Sequence, residues 1–428
     1  MKVVLVGAGN MGISWAGAAL LNGHEVSIVD NDEGKLTAFR DGKLTQGEED
    51  LWKCIDRGSV QLYSDFSDAP YADIVFIAVQ TPSKHEAEWY SCDFGPLTRL
   101  LDSLAPKLQE GQIVLLGSTV FPGAIDEHIL PRLKDAPITL AYQPVFLRAG
   151  NGVTDYLHPA KTVVGVVDPE NPPQKLHQFL KSTTWNSAPI NYCTYKQAEF
   201  VKLMHNTFMC VKINFANEIG DMCARYGVDA ERAIELTFNE SPEGRLLTRS
   251  HMMPGPPFSG TCLPKDSAIL TGILESQKLI CRCPMLGSAY SNNDDRIHAI
   301  IYSLFPARSV GIIGMAYRPG YNDVRDSLAV KFADIANSLN SDTSRFEIHF
   351  WDPVFSAMSE QAYMLAARRD LKVEALWPQV VPTLGDLIAR SDALIVNCKL
   401  DDAGRKLLAI HQELKIVDLY GNGIRKDE

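Results

Sequence analysis

Short apolar runs separated by helix-length amphipathic stretches recur along most of this chain. Residues 2–6 (Lys-Val-Val-Leu-Val) are apolar and β-branched, which predicts a strand. Gly7-Ala-Gly9-Asn10-Met11-Gly12 follows, and an Ala-rich helical pattern continues to about Leu21. Asn22-Gly-His is a turn, and 25–30, ending in Asp30, is a second strand. Further apolar runs at 74–79, 113–116, 139–142 and 162–167 predict strands with helices between them, the pattern of βαβ units around a parallel sheet.

Over 195–226 the pattern changes. The stretch has no Pro and no Gly before Gly220, and Phe200, Leu203, Met204, Phe208, Val211, Phe215 and Ile219 recur at helical spacing. One long helix is expected, suited either to passing between two domains or to building a dimer interface. A helix at 229–238 and another after Asp266 complete a central helical region. A second α/β half follows, with a buried strand opening into a loop at 309–317 and strands at 347–351, 393–397 and 415–419. The expected fold class is therefore α/β, with two Rossmann-like parallel-sheet domains joined by a long central helix and a helical region. No short-period repeat is visible, and the halves resemble each other only in α/β type.

Length supports this division, because 428 residues exceed one ordinary core and imply two or three domains. The net charge of -11 and pI near 5.4 argue against a nucleic-acid or anionic-membrane partner. No apolar run approaches the roughly 18 residues that span a bilayer. The N-terminus reads straight into a strand rather than a secretory signal. Nine cysteines without a framework spacing suit reduced thiols, so a cytoplasmic protein is expected. Cys281-Arg-Cys283 has no second pair or nearby histidines to complete a zinc site, and no metal is expected.

Candidate chemistry comes from three places. Gly7-x-Gly9-x-x-Gly12 follows a strand, opens a helix and precedes an acid ending the next strand, the context of a dinucleotide turn. Gly7 makes the turn, Gly9 lets the backbone approach a pyrophosphate, and Gly12 allows close helix–strand packing. Asp30 would accept ribose hydroxyls and repel a 2′-phosphate, favouring NAD over NADP; otherwise it is a strand-end turn residue. Cys262, in Pro257-Phe-Ser-Gly-Thr-Cys262-Leu-Pro-Lys265-Asp266, is either an accessible nucleophile beside a cation or a buried structural thiol. Lys202 and Asn206 lie four apart on one helix face, able to hold an oxyanion together, or Lys202 is simply a solvated lysine. The residues alone reach an NAD enzyme with a candidate thiol.

Taken together, six motifs in order resemble the UDP-glucose/GDP-mannose dehydrogenase family over nearly the whole chain. They are the Gly7–Gly12 turn; Val79-Gln-Thr81-Pro-Ser; Gly117-Ser-Thr119-Val-Phe-Pro-Gly; Ala198-Glu-Phe-Val-Lys202-Leu-Met-His-Asn206 with Asn217-Glu218; Gly260-Thr-Cys262-Leu-Pro-Lys-Asp266; and Gly314-Met-Ala-Tyr317-Arg318 through Asp323-Val-Arg325-Asp-Ser327. The resemblance implies an NAD-binding domain at 1–192, a helical dimerisation domain at 193–300 and a nucleotide-sugar domain at 301–428. It implies oxidation of a sugar's primary alcohol to a carboxylate with two NAD and no metal, Cys262 trapping the aldehyde and then carrying a thioester. Lys202 and Asn206 would stabilise oxyanions, and Asp266 and Thr119 would position the water or thiol that handles protons. Asn10, Met11, Asp30, Lys35, Thr81, Thr119, Lys265 and Arg325 would join the glycines around NAD. Phe146, Leu147, Arg148, Arg245, Phe258, Gly260, Tyr317 and Arg318 would join Lys202 and Asn206 around a UDP- or GDP-sugar. Arg245 would reach a neighbouring subunit, implying a homodimer. Two endings, Asn217-Glu-Ile-Gly220 and Val417-Asp-Leu-Tyr-Gly421, look more like the GDP-mannose branch.

The chain departs from the family at one loop. The family reads Asn-Pro-Glu-Phe-Leu-x-Glu-Gly; here stands Gln143-Pro-Val145-Phe-Leu-Arg148-Ala149-Gly150, and both carboxylates are gone. The first of them resembles a general base for thioester hydrolysis, and valine takes no proton. Pro257 and Ser259 replace usual glycines, and Arg318 a usual lysine. The losses admit full oxidation with another base, an early stop at aldehyde or thioester transfer to another acceptor such as an amine, or a homologue that binds without turnover. A β-hydroxyacid dehydrogenase, suggested by Gly9-Asn-Met-Gly12, is disfavoured by the C-terminal α/β half and the Cys262 loop. His205 is expected to pack on the helix rather than replace the lost base.

Overall fold

The apolar runs become strands buried on both faces. The computed structural model describes all residues except 43–47, 86–89, 149, 239–251, 319–320, 322, 340–346, 368–370, 412 and 422–428. The chain divides into two compact units, Met1–His205 and Asn206–Glu428. The first unit holds β1 (Lys2–Val6), β2 (Glu25–Val29), β3 (Gln61–Tyr63), β4 (Ile74–Ile77), β5 (Ser83–His85), β6 (Tyr90–Cys92), β7 (Ile113–Leu116), β8 (Thr139–Tyr142), β9 (Thr162–Gly165) and β10 (Ile190–Cys193). β5 and β6 form a separate antiparallel pair.

The remaining eight make one sheet in the order β10-β9-β8-β7-β4-β1-β2-β3. Every neighbouring pair is parallel except β8 with β9. The chain direction across the sheet reverses between β1 and β4, the position at which parallel α/β sheets bind ligands beyond their strand ends. Val3, Leu5, Ile74 and Phe76 pack on one face with Trp15 and Phe179. Val4, Val6, Val75 and Ile77 pack on the other with Leu97, Leu101 and Ile125. Two covered faces explain why these strands read as continuous apolar runs. Phe76 stacks flat on Trp15, with centroids 4.2 Å apart, and fixes the first helix (Asn10–Leu21) over the sheet.

The second unit holds β11 (Ser309–Ile313), β12 (Glu347–Trp351), β13 (Ala393–Val396) and β14 (Lys415–Asp418), all parallel in the order β12-β11-β13-β14. Its core gathers Val310, Ile312, Phe332, Phe350 and Tyr363. The long helix spans Tyr195–Arg225 and is stopped by Gly227 at φ 65, a conformation glycine adopts without strain.

Two expectations change. The helix placed after Asp266 begins earlier and spans Leu263–Ser276, because Pro264 suits a first turn; Cys262 is its N-cap, and Lys265 and Asp266 lie inside that turn. The two halves also share more than α/β type. Gly7 follows β1 at φ 104, and the next N–H, on Ala8, bonds Asp30 Oδ2 at 2.7 Å. Gly314 follows β11 at φ 94, and the next N–H, on Met315, bonds Asp352 Oδ2 at 2.8 Å. One construction serves both sheets, carried by an acid ending the neighbouring strand, which no linear repeat displays.

Candidate active site

The first unit offers a dinucleotide turn in which Gly7 and Gly12 are sterically required. A Cβ on Gly7 would stand 2.7 Å from the Ala78 carbonyl, and one on Gly12 only 2.3 Å from that of Gly7. A Cβ on Gly9 would meet nothing within 4 Å, so this glycine faces the open space a phosphate group would fill. The helix beginning at Asn10 has no side-chain cap, the state in which a bound anion can serve its first N–H groups. Asp30 is buried at the end of β2, and Lys35 Nζ lies 3.2 Å from its Oδ2. These residues fit NAD: a turn open at Gly9, an uncapped helix, and a carboxylate where ribose hydroxyls would lie.

The neighbouring strand ends are tied together. Thr81 Oγ1 donates to the Thr119 carbonyl at 2.7 Å, and Ser118 Oγ to that of Val79, also at 2.7 Å. Thr81 and Thr119 thus stand on adjoining loops after β4 and β7, beside the reversal of strand order.

The start of the long helix is pinned to the same unit along one face. Tyr195 Oη donates to the Leu140 carbonyl at 2.8 Å. Glu199, fully buried, accepts the N–H groups of Gly123 and Ile125, each at 2.8 Å. Lys202 Nζ donates to the Val145 carbonyl at 2.8 Å and lies 5.5 Å from the centre of the Phe146 ring. Lys161 Nζ sits 5.7 Å from that same centre, and His205 meets the ring edge-on at 4.7 Å, so His205 packs. Val145 therefore supplies its backbone oxygen to Lys202 while its side chain packs against the core beneath the sheet. Burial pushes the Glu199 carboxyl above its ordinary value, opposed by its two N–H donors.

In the second unit Cys262 is exposed at the N-cap of a 14-residue helix. Negative charge formed at Sγ would lie in the favourable field of that terminus. Asp266 is buried one turn on; Asn206 Nδ2 donates to its Oδ2 through a short hydrogen bond. Lys265 Nζ stands 3.3 Å from Oδ1, an ion-pair separation, yet no hydrogen bond reaches that oxygen among the described residues. Asp266 thus keeps an acceptor position to spare. The turn itself packs on Tyr317: a Cβ on Gly260 would lie 2.8 Å from its ring, and Gly260 N–H bonds the Asp326 carbonyl at 2.9 Å. Burial, reinforced by nearby Tyr321, Asp323 and Cys262, holds the Tyr317 phenol well above its usual value against the opposing charge of Arg318, so it remains a donor. By contrast Cys210 and Cys398 are buried, and burial pushes each thiol up to about 12.

The other expected residues fall into distinct surroundings. Arg325 is paired with buried Asp323 through two hydrogen bonds of 2.9 and 2.6 Å. Arg148 is paired with Asp155, which also accepts the Arg148 N–H. Phe258 is buried with Cys210 and Ala289, and Asn293 holds both its N–H and its carbonyl, so its visible task is to brace the Cys262 loop. Asn10 and Met11 open the first helix, Leu147 is half-buried beside Phe146, and Arg318 is exposed next to Tyr317. Arg245 and Ala149 lie outside the described residues. Sequence reasoning missed Tyr195 and Glu199, although their spacing from Lys202 places all three on one helix face.

Two family models match the chain: the NAD binding domain of the UDP-glucose/GDP-mannose dehydrogenase family over residues 1–182, and its central domain over 196–295. The GDP-mannose 6-dehydrogenase of Pseudomonas aeruginosa is 28% identical over 415 residues, covering 93% of this chain and 91% of that protein. The UDP-glucose 6-dehydrogenase of Rhizobium meliloti is 28% identical over 349 residues, 77% of each chain. Among solved structures, a UDP-glucose dehydrogenase from the hyperthermophilic archaeon Pyrobaculum islandicum has a TM-score of 0.77 at 23% identity, covering 99% of this chain and 96% of that one, a likeness of fold. With its dinucleotide turn built as described, the chain belongs to the UDP-glucose/GDP-mannose dehydrogenase family and is an NAD-dependent nucleotide-sugar dehydrogenase, an oxidoreductase acting on CH–OH.

Proposed function

We propose that the enzyme oxidises the C6 primary alcohol of a UDP- or GDP-activated sugar to the uronate through a covalent intermediate on Cys262. The observation that carries this reading is an exposed thiol at a helix N-terminus, one turn from a buried aspartate with a spare acceptor position. NAD, when bound, supplies the hydride acceptor, one molecule for each two-electron step, and Gly7, Gly9, Gly12, Asp30 and Lys35 are the residues that would hold it.

The chain's own residues handle charge and protons. Asp266, or water held by it, takes the alcohol proton as the first C–H bond breaks, and Thr119 joins the residues that would hold NAD. Cys262 Sγ adds to the aldehyde carbon, and the Lys202 ammonium and Asn206 amide stabilise the alkoxide of the thiohemiacetal. Loss of the second C–H hydride leaves a thioester. Water then adds to its carbonyl, loses a proton and expels the Cys262 thiolate, leaving the carboxylate.

The last step lacks the carboxylate the family places at Val145. That side chain packs inward, which favours a second reading: the enzyme stops at the aldehyde, or Cys262 passes the acyl group to a nucleophile other than water. Counting NADH against product mass across UDP- and GDP-sugars separates these outcomes. Two NADH and one carboxylate per sugar are expected for full oxidation. One NADH with free aldehyde, or two with a substituted acyl product, would establish the second reading. Tight sugar binding with no NADH would overturn both.

The reading includes a homodimer in the cytoplasm and the three-part division 1–192, 193–300 and 301–428. Phe200, Met204, Phe208, Phe215 and Met222 are exposed along one helix that also buries its opposite face. A helix apolar on both sides needs a second cover, and a second copy supplies it symmetrically. Phe208→Asp is expected to halve the mass seen by light scattering; an unchanged mass would remove this face from the interface. Unbridged cysteines fit a reducing compartment, and no described helix is long and apolar enough to cross a membrane.

A further inference from the structure

We propose that Glu199 is a positioning residue for the reaction: its carboxylate locks the loop carrying Thr119 to the helix carrying Lys202. The inference rests on the roles proposed above for those two residues. The loop running from Gly117 to Gly123 is held at its near end by Ser118 and Thr119, which bond the strand-end segment containing Val79 and Thr81. Its middle is anchored by burial of Val120 and Phe121. Its far end turns at Gly123, at φ 92, and the polar groups reaching out from the turn meet one carboxylate. Glu199 Oε2 accepts Gly123 N–H and Oε1 accepts Ile125 N–H, each at 2.8 Å.

The helix side is equally specific. Glu199 lies three residues before Lys202, so both project from one face, and Lys202 Nζ reaches the Val145 carbonyl from that face. Rotation of the helix that broke the two Glu199 bonds would also withdraw the ammonium. A fully buried carboxylate is a costly way to join two elements when an apolar side chain of similar volume would fill the space. Its two acceptors, however, fix direction and register, which an apolar contact does not.

The test compares Glu199→Gln, Tyr195→Phe and Thr119→Val in the full-length enzyme. The first substitution keeps the size of the side chain, but an amide offers one acceptor to two N–H donors, so one bond is lost. Glu199→Gln is expected to weaken NAD binding and lower kcat, each roughly tenfold to a hundredfold, as a misplaced catalytic group does. Tyr195→Phe removes one buried hydrogen bond from the same helix and is expected to lower Tm while leaving NAD affinity and kcat unchanged. A Glu199→Gln enzyme that loses Tm but keeps both values would overturn the proposal and leave a structural carboxylate. Unchanged values in Thr119→Val would refute the role of Thr119 itself; altered values there with Glu199→Gln unaffected would refute the coupling alone. In the wild-type protein, slow hydrogen exchange at Gly123 and Ile125 is expected, and rapid exchange there would overturn the lock without any variant.

Discussion

Cys262→Ala is expected to lower uronate formation by about 10³-fold or more, the order of loss seen when a covalent nucleophile is removed. The side chain is exposed and small, so the substitution opens no buried cavity. The helix it caps receives no hydrogen bond from the cysteine side chain, and Gly260 and Tyr317 still shape the turn. Nucleotide-sugar affinity should therefore hold. The first two-electron oxidation does not require the thiol, so a residual activity should release aldehyde with one NADH per sugar. A variant that made carboxylate at the wild-type rate would refute the covalent route. Alkylation supports the same comparison if the modified peptides are mapped, because Cys54 and Cys281 are also exposed. Cys210 and Cys398, with thiols pushed up to about 12, should react far more slowly.

Much of this was legible in the chain because the relevant signals are local. A β-branched run, three spaced glycines and a strand-end acid describe a nucleotide turn within about thirty residues, roughly one βαβ unit. The central parallel strands declare themselves by apolar runs because both of their faces are covered. The edge strands β3 and β10 are short and half-exposed, so their mixed sequences carry no such signal. Nor does sequence show exposure. The loop and its neighbours single out Cys262 in one dimension, but that its thiol is open while that of Cys210 is buried shows only in three. Glu199 shows the opposite failure: an acidic residue on a helix reads as solvated until its two N–H donors arrive from a loop 74 and 76 positions away. The pairing of Arg325 with Asp323 was hidden for a simpler reason, since a two-residue spacing in a loop does not fix which way either side chain turns.

Lys202→Met is the second large effect expected, a fall in kcat of about 10²- to 10³-fold, comparable to removing one preorganised oxyanion donor. Methionine keeps most of the stem's length and its contact with Phe146 while deleting the charge. Glu199 would continue to pin the helix, so the fold and its register should survive. The Val145 carbonyl loses its ammonium partner and is left to water. Lys202→Arg is expected to restore little, because a planar fork does not reproduce a compact ammonium lodged between a carbonyl and a ring. The effect should fall on kcat more than on binding, since the charge is needed most when an alkoxide develops. If Lys202→Met lowered Tm and left kcat intact, the 2.8 Å bond to Val145 would be the whole purpose of the lysine, and the oxyanion would have to be held by Asn206 alone.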